Sequence, residues 1–248
     1  MATPDIIYPG IVETEIPDLS GMTVACTGCT TGTGYHAMLA AANSGASLLL
    51  LLNRASERSD AGHAAIAAEA GAGTQVVSVD CDLQSFASTK AAAAEVAKLV
   101  EPFGGLDVLM NNAGVMGVPD TRTGDGFDIQ MQTNHLSHFA LTALLMPAME
   151  AAAAARGEAR VVQHSSGARG ANVMGAAEGG GHLEAQFFEP CAEDTLGGDA
   201  MPACFARYHQ TKLTNPVFAM ELHERLAVAG SKVKSLCCEP WVHKQPQP

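Results

Sequence analysis

Runs of nearly uninterrupted apolar residues recur along the chain at 22–26, 47–52, 75–79 and 106–110, each bounded by polar or glycine-rich residues. Continuous apolar runs with little alternation predict strands buried on both faces, hence a parallel sheet covered by helices on each side. Two further runs of the same kind lie at 159–163 and 232–238. Helical patterns fall between them. One covers 35–43, one follows Ser85 as N-cap through an alanine-rich tract to about Val100, and a long one covers 126–155. The alanine tracts at 91–94 and 151–155 read as compositional bias on helices. Strand–helix alternation throughout predicts a single α/β domain over 1–248, a doubly wound parallel sheet of Rossmann type. One stretch breaks the rhythm. From about 167 to 207 the chain is rich in Gly, Pro, Ala and acid, with Gly179-Gly180-Gly181 near its centre, and predicts a long loop insertion.

Composition narrows the partners. An apolar content of 47% with 16% charged residues is that of a globular chain, not a disordered one. A net charge of -12 excludes a nucleic-acid or anionic-membrane surface, both of which need a basic stripe. The longest apolar run, 46–52, is too short for a bilayer, which needs about 20 residues, so no transmembrane segment is expected. Residues 1–17 carry Asp5, Glu13 and Glu15 and no basic residue, unlike a signal or transit peptide. Seven scattered cysteines fit a reducing compartment, the cytoplasm or an organelle if a targeting segment has been removed. Cys26 and Cys29 have C-x-x-C spacing without a second ligand pair, and none of the nine histidines sits in a zinc-binding pattern, so no metal site is expected. His135, His138, His164 and His209 read as polar packing residues, the last two able to tune local electrostatics. Cys29, in the glycine-rich turn, reads as an inert small residue sooner than a reactive thiol.

Four motifs carry the chemistry: Thr27-Gly28-Cys29-Thr30-Thr31-Gly32-Thr33-Gly34, Asn111-Asn112-Ala113-Gly114, Ser165-Ser166, and Tyr208-His209-Gln210-Thr211-Lys212. Glycines 28, 32 and 34 between a strand and a helix let backbone N–H groups approach a pyrophosphate. A dinucleotide fold preferring NAD carries an acid about 20 residues on, at the ribose 2′-hydroxyl. Here that place reads Leu52-Asn53-Arg54, and Arg54 suits a 2′-phosphate, so NADP(H) is expected over NAD(H). Tyr208 is the candidate general acid/base. Lys212, four residues on along the same helix face, would lower its pKa by favouring the phenolate.

In this order the motifs resemble the short-chain dehydrogenase/reductase family over about 18–242, and most of all its retinol-dehydrogenase-like members. Asp18-Leu19-Ser20-Gly21 before the first strand and Asn134-His135-Leu136-Ser137-His138-Phe139 carry that finer likeness. The resemblance implies an oxidoreductase interconverting a lipophilic alcohol and its aldehyde or ketone. It implies a catalytic set of Asn134 (holding a relay water), Ser166, Tyr208 and Lys212, with Ser165 supporting the strand. It also implies cofactor contacts from Thr27, Gly28, Gly32, Gly34, Asp82, Asn112, Ala113, Gly114, Tyr208 and Lys212.

The sequence departs from that pattern in three places. Glu239-Pro240-Trp241-Val242-His243-Lys244 puts Trp where the family has Gly and Lys where it has Thr. The chain stops at Pro248, without the family's final helix and strand, which leaves the sixth strand as an open sheet edge. Pro216 falls in the helix carrying Tyr208 and Lys212, and predicts a kink or early end there. The acidic stretch 184–199 with Phe187-Phe188 offers a docking surface for a basic partner or a larger assembly. Those features motivate an alternative expectation, a catalytically degenerate scaffold acting as a structural subunit or binding module.

Overall fold

The computed structural model describes residues 16–170, 182–192 and 195–239. Six parallel strands form one sheet in the order β3-β2-β1-β4-β5-β6: β1 (Thr23–Thr27), β2 (Leu48–Asn53), β3 (Gln75–Asp80), β4 (Val108–Asn111), β5 (Ala159–His164) and β6 (Val233–Cys238). β2 shows why the sheet is covered twice. Its five consecutive leucines alternate: Leu48, Leu50 and Leu52 enter one core layer, while Leu49 and Leu51 enter the other. A period of two applied to an unbroken apolar run leaves neither face polar, so helices must pack on both. β3 and β6 are the outer strands of the sheet and are more exposed: β3 buries only Val79, and β6 only Val233 and Ser235.

The first layer is held by α3 (Phe86–Val100) and α4 (Ser137–Arg156), with Leu226 of α5 (Met201–Val228); the second by α1 (Gly32–Asn43) and by Ile66 of α2 (Glu57–Glu69). Ser85 caps α3 as expected, its side chain accepting the N–H of Ser88. The expected helix at 35–43 begins three residues earlier, at Gly32 inside the glycine-rich motif. α2 was not foreseen, because it buries only Ser59, Gly62 and Ile66 and so shows no apolar stripe. The long pattern at 126–155 resolves into a short turn Ile129–Met131, a π-helical segment Gln132–Leu136, and α4. By length and composition the run Ile129–Arg156 could cross a membrane. Its Leu141, Leu145 and Met149 are fully buried against the sheet, as in a core helix.

Two expectations about the region before and within α5 are corrected. The loop does not last to 207, since α5 starts at Met201; its N-cap, Ala200, has no capping side chain, and Pro202 in the first turn is the start signal the sequence carries. Pro216 neither ends nor divides the helix, which runs unbroken to Val228. The aromatic pair of the insert is also not an exposed anchor. Phe187 is buried, and Phe188 packs edge-on against His135 with ring centroids 6.3 Å apart. Gly179-Gly180-Gly181, Trp241 and Lys244 lie outside the described residues.

Candidate active site

The strand order reverses between β1 and β4, and a cleft at the C-terminal strand ends of such a switch point is where α/β sheets bind ligands. A cavity of about 500 Å³ opens there. Gly28 has φ +72°, and a Cβ on it would lie 2.9 Å from the Cα of Ala113. A Cβ on Gly34 would strike the Asn112 side chain and sit 2.6 Å from the Gly28 carbonyl oxygen. No larger residue fits either place, whereas Gly32 opens onto free space. Thr27 ties this turn to the next motif, its Oγ1 accepting the N–H groups of Asn112 and Ala113, both at 3.0 Å. Asn112 returns the link, Nδ2 donating to the carbonyls of Thr27 and Gly28 at 2.9 and 3.1 Å. The result is a rigid cradle of backbone amides beside open volume, fit for a dinucleotide's phosphates.

Beyond β2 the cavity wall carries Arg54 as expected, and Arg58 as well. Arg58 stands in the first turn of α2, its Nη2 donating to Thr31 Oγ1 in the glycine-rich loop. The sequence held the signal, a second arginine four residues after the first, but without α2 its direction was unreadable. Asn53 at the strand end is committed elsewhere, Oδ1 accepting the Cys29 N–H at 2.8 Å. Asp82 lines the cavity as expected. Cys29 is fully buried, with Sγ against the Cys26 carbonyl.

At the opposite end Gly114, Val115 and His164 line the wall; Lys212, Tyr208 and Ser166 are not among the lining residues, and Lys212 Nζ stands behind Gly114, 3.5 Å from where a Cβ on that glycine would lie. Lys212 Nζ donates to the His164 carbonyl at 3.0 Å and lies 5.7 Å from the centre of the Tyr208 ring. The Ser166 side chain is close enough to the Tyr208 hydroxyl to favour its phenolate. Burial pushes the Tyr208 phenol up, and the Ser166 side chain opposes it. The expected lowering by Lys212 is therefore corrected for the protein alone: desolvation sets the direction. Burial also pulls the Lys212 ammonium down to about 8, against the opposing pull of Cys237 and Cys238.

Asn134 sits in the π-helical segment as a bracket for the same wall. Its Oδ1 accepts the Val115 N–H, and its Nδ2 donates to the Val115 carbonyl and to Thr211 Oγ1. Its side chain holds these elements together, and a Cβ on Gly114 would lie 3.2 Å from its Oδ1 and 3.5 Å from Lys212 Nζ. His138 Nδ1 donates to the Asn134 carbonyl, leaving Nε2 to accept the Thr27 hydroxyl at 2.9 Å. Complete burial pulls His138 down to about 3, so it stays neutral and this tautomer is fixed. Among the described residues no group of three or more His, Cys, Asp or Glu converges as a metal cage would require.

Residues 22–178 match the short chain dehydrogenase family. The chain is a short-chain dehydrogenase/reductase. It is 33% identical over 92% of its length to a short chain dehydrogenase/reductase of Colletotrichum higginsianum, covering 56% of that protein. It is 34% identical over 88% of its length to retinol dehydrogenase 13 of Homo sapiens, covering 58% of it. With polyprenol dehydrogenase of Mus musculus it shares 30% identity, covering 61% of that chain. The chain thus spans somewhat over half the length of these relatives. An uncharacterized protein of Mycobacterium paratuberculosis superposes with TM-score 0.69 at 32% identity, over 91% of this chain and 70% of that one. A metagenomic short-chain oxidoreductase solved with NADP has the same fold, TM-score 0.63 at 24% identity over 91% and 84% of the two chains. Families of this kind bind a nicotinamide dinucleotide, and the cradle and cavity fit one.

Proposed function

We propose that this short-chain dehydrogenase/reductase interconverts a lipophilic alcohol and its aldehyde or ketone with NADP(H), in a reducing compartment. The observation that carries the reading is that Lys212 stands beside the Tyr208 ring and holds the carbonyl of His164, a residue that lines the cavity below the glycine-rich cradle. Carbonyl reduction needs a hydride, which a bound dinucleotide supplies, and a proton at oxygen. Tyr208 holds that proton at its hydroxyl, with the Ser166 side chain nearby. Ser166 orients the substrate oxygen toward it. Lys212, held as a cation next to the ring below about pH 8, anchors the ribose side and favours the phenolate once the proton has left. The lipophilic substrate class rests on the relatives named for retinol and polyprenol, both lipophilic alcohols.

The NADP(H) preference rests on two guanidiniums at the cavity wall with no carboxylate at the end of β2. Each can make forked, charge-assisted bonds to a 2′-phosphate. NADPH is therefore expected to bind more tightly than NADH by about tenfold or more, given roughly 1.5–3 kcal/mol per charged hydrogen bond. Arg54→Ala should erode that ratio without touching NADH affinity, whereas Arg58→Ala should erode it and also weaken both nucleotides by freeing Thr31 of the glycine-rich loop. Fluorescence titration with both nucleotides checks this, and tighter NADH binding would overturn the preference. The alternative scaffold reading loses two of its motives here, since Pro216 leaves the helix whole and Phe187 and Phe188 pack inward. Size-exclusion chromatography with an NADPH turnover assay separates the two: an inactive chain found only in a larger assembly would favour the scaffold.

A further inference from the structure

A proline has no N–H with which to close a helical bond to the carbonyl four residues earlier. In α5 that carbonyl belongs to Lys212, the residue whose side chain the site must aim. The lost bond is made from outside the helix: Ser165 Oγ donates to the Lys212 carbonyl at 2.7 Å. Ser165 is only 2% exposed, so water is not a ready substitute. Its backbone is fixed independently, its N–H donating to the Cys238 carbonyl at 2.8 Å, which leaves the hydroxyl to serve the helix. One residue earlier, the His164 carbonyl accepts Lys212 Nζ at 3.0 Å and Asn215 Nδ2 at 3.0 Å. The end of β5 therefore grips Lys212 twice, at its main chain and at its ammonium.

We propose that Ser165 is a positioning residue for Lys212, its hydroxyl replacing the hydrogen bond that Pro216 removes and thereby setting where Nζ stands. The consequence for catalysis rests on the function proposed above; the exchange of hydrogen bonds does not. Leaving the Lys212 carbonyl unpaired in a buried place would let that turn of α5 shift toward water and loosen the ammonium from the His164 carbonyl.

The test is a double-mutant cycle in the full chain: wild type, S165A, P216A and S165A/P216A, with S165T retaining the hydroxyl. The first readout is the titration of the Lys212 Cε resonance in 13C-lysine-labelled protein, free of any nucleotide. The ionisable groups facing that ammonium are Cys237, Cys238, His138, His164 and Tyr208, and all are kept in every variant. Wild type and S165T should titrate near 8, S165A closer to an ordinary lysine, and S165A/P216A near wild type again, because alanine at 216 restores the helical N–H. The second readout is NADPH affinity, expected to fall about tenfold in S165A relative to wild type, the scale of one buried bond, and by less than about twofold in S165A/P216A relative to P216A. If S165A folds only when P216A is present, that rescue also supports the proposal. Equal damage from S165A in both backgrounds, or an unmoved Lys212 titration, would overturn it. Absence of NADPH binding in wild type would sink the functional reading, while the lysine titration still decides the role of Ser165.

Discussion

Tyr208→Phe is expected to reduce turnover by at least about a hundredfold, and by up to about 10⁴-fold, the usual contribution of a positioned general acid/base. The ring remains, so packing against Phe205 at 6.3 Å between ring centres is kept and stability should change little. What disappears is the hydroxyl beside Ser166 that is proposed to hold the transferred proton. NADPH affinity should stay close to wild type, since the cradle of Gly28, Gly34 and Asn112 is untouched. Lys212→Ala differs in kind: it removes a cation from both the cofactor wall and the tyrosine, so affinity and turnover should fall together. pH adds a sign. Carbonyl reduction needs the protonated phenol, which burial favours, and a charged Lys212, which is lost above about pH 8 in the nucleotide-free protein. The rate should therefore hold at neutral pH and decline on the alkaline side. Steady-state kinetics with NADPH and a lipophilic aldehyde decide the matter: a Tyr208→Phe enzyme keeping most of its activity would remove the mechanism.

Much of this site was legible in the sequence because chemistry fixes residue type there. Gly28 and Gly34 are glycines because a Cβ would meet Ala113 or the Asn112 side chain, and a strand-to-helix turn with that demand reads as glycine at fixed spacing. The leucines of β2 were equally plain, since an unbroken apolar run too short for a helix and bounded by polar residues reads as a strand buried on both faces. The misses share a cause: their partners are distant in the chain. Pro216 correctly implied a lost helical bond, but only the fold brings Ser165, 51 positions earlier, to replace it. α2 was invisible because it stands on one large apolar residue, Ile66, and its start depends on the Ser56 cap accepting the Ser59 N–H. Tyr208 was expected to be lowered by its lysine; burial of both side chains outweighs that, and burial is a property of the folded chain alone. Phe187-Phe188 looked like an anchor in an acidic loop, until the insert was seen folded back on His135 and on Gln210, whose amide takes the Glu184 N–H at 3.0 Å.

The largest loss of stability should come from a residue no motif singled out. Arg207, immediately before Tyr208, is fully buried. Its Nη1 donates to the carbonyls of Leu196 and Gly198 at 2.9 Å each, its Nη2 to the Val118 carbonyl at 3.1 Å, and its charge faces Asp120 at 3.7 Å and Asp128 at 3.4 Å. Asp120 Oδ2 accepts the N–H groups of the same Leu196 and Gly198, so one cation and one carboxylate knit the insert onto the catalytic helix. Arg207→Met keeps the volume and leaves two buried carboxylates without a cation. Breaking a buried pair by removing one partner costs about 3–5 kcal/mol, a large part of the 5–15 kcal/mol that ordinarily holds a domain together. Lysine should not rescue fully, since a point charge cannot satisfy three carbonyls with a guanidinium's fork. The pH dependence follows from Asp128, whose carboxyl burial already raises despite Arg207. Without the cation it rises further, so the folded variant binds a proton the unfolded chain does not, and stability returns as pH falls through that raised value. The deficit of Arg207→Met against wild type should then be greatest at neutral pH and shrink toward pH 5, and Arg207→Met/Asp128→Asn should recover part of it. Urea unfolding of the three proteins at both pH values measures this. A loss of less than about 1 kcal/mol at neutral pH, the level of an exposed ion pair, would mean that the buried charge cluster does not hold the insert to the helix.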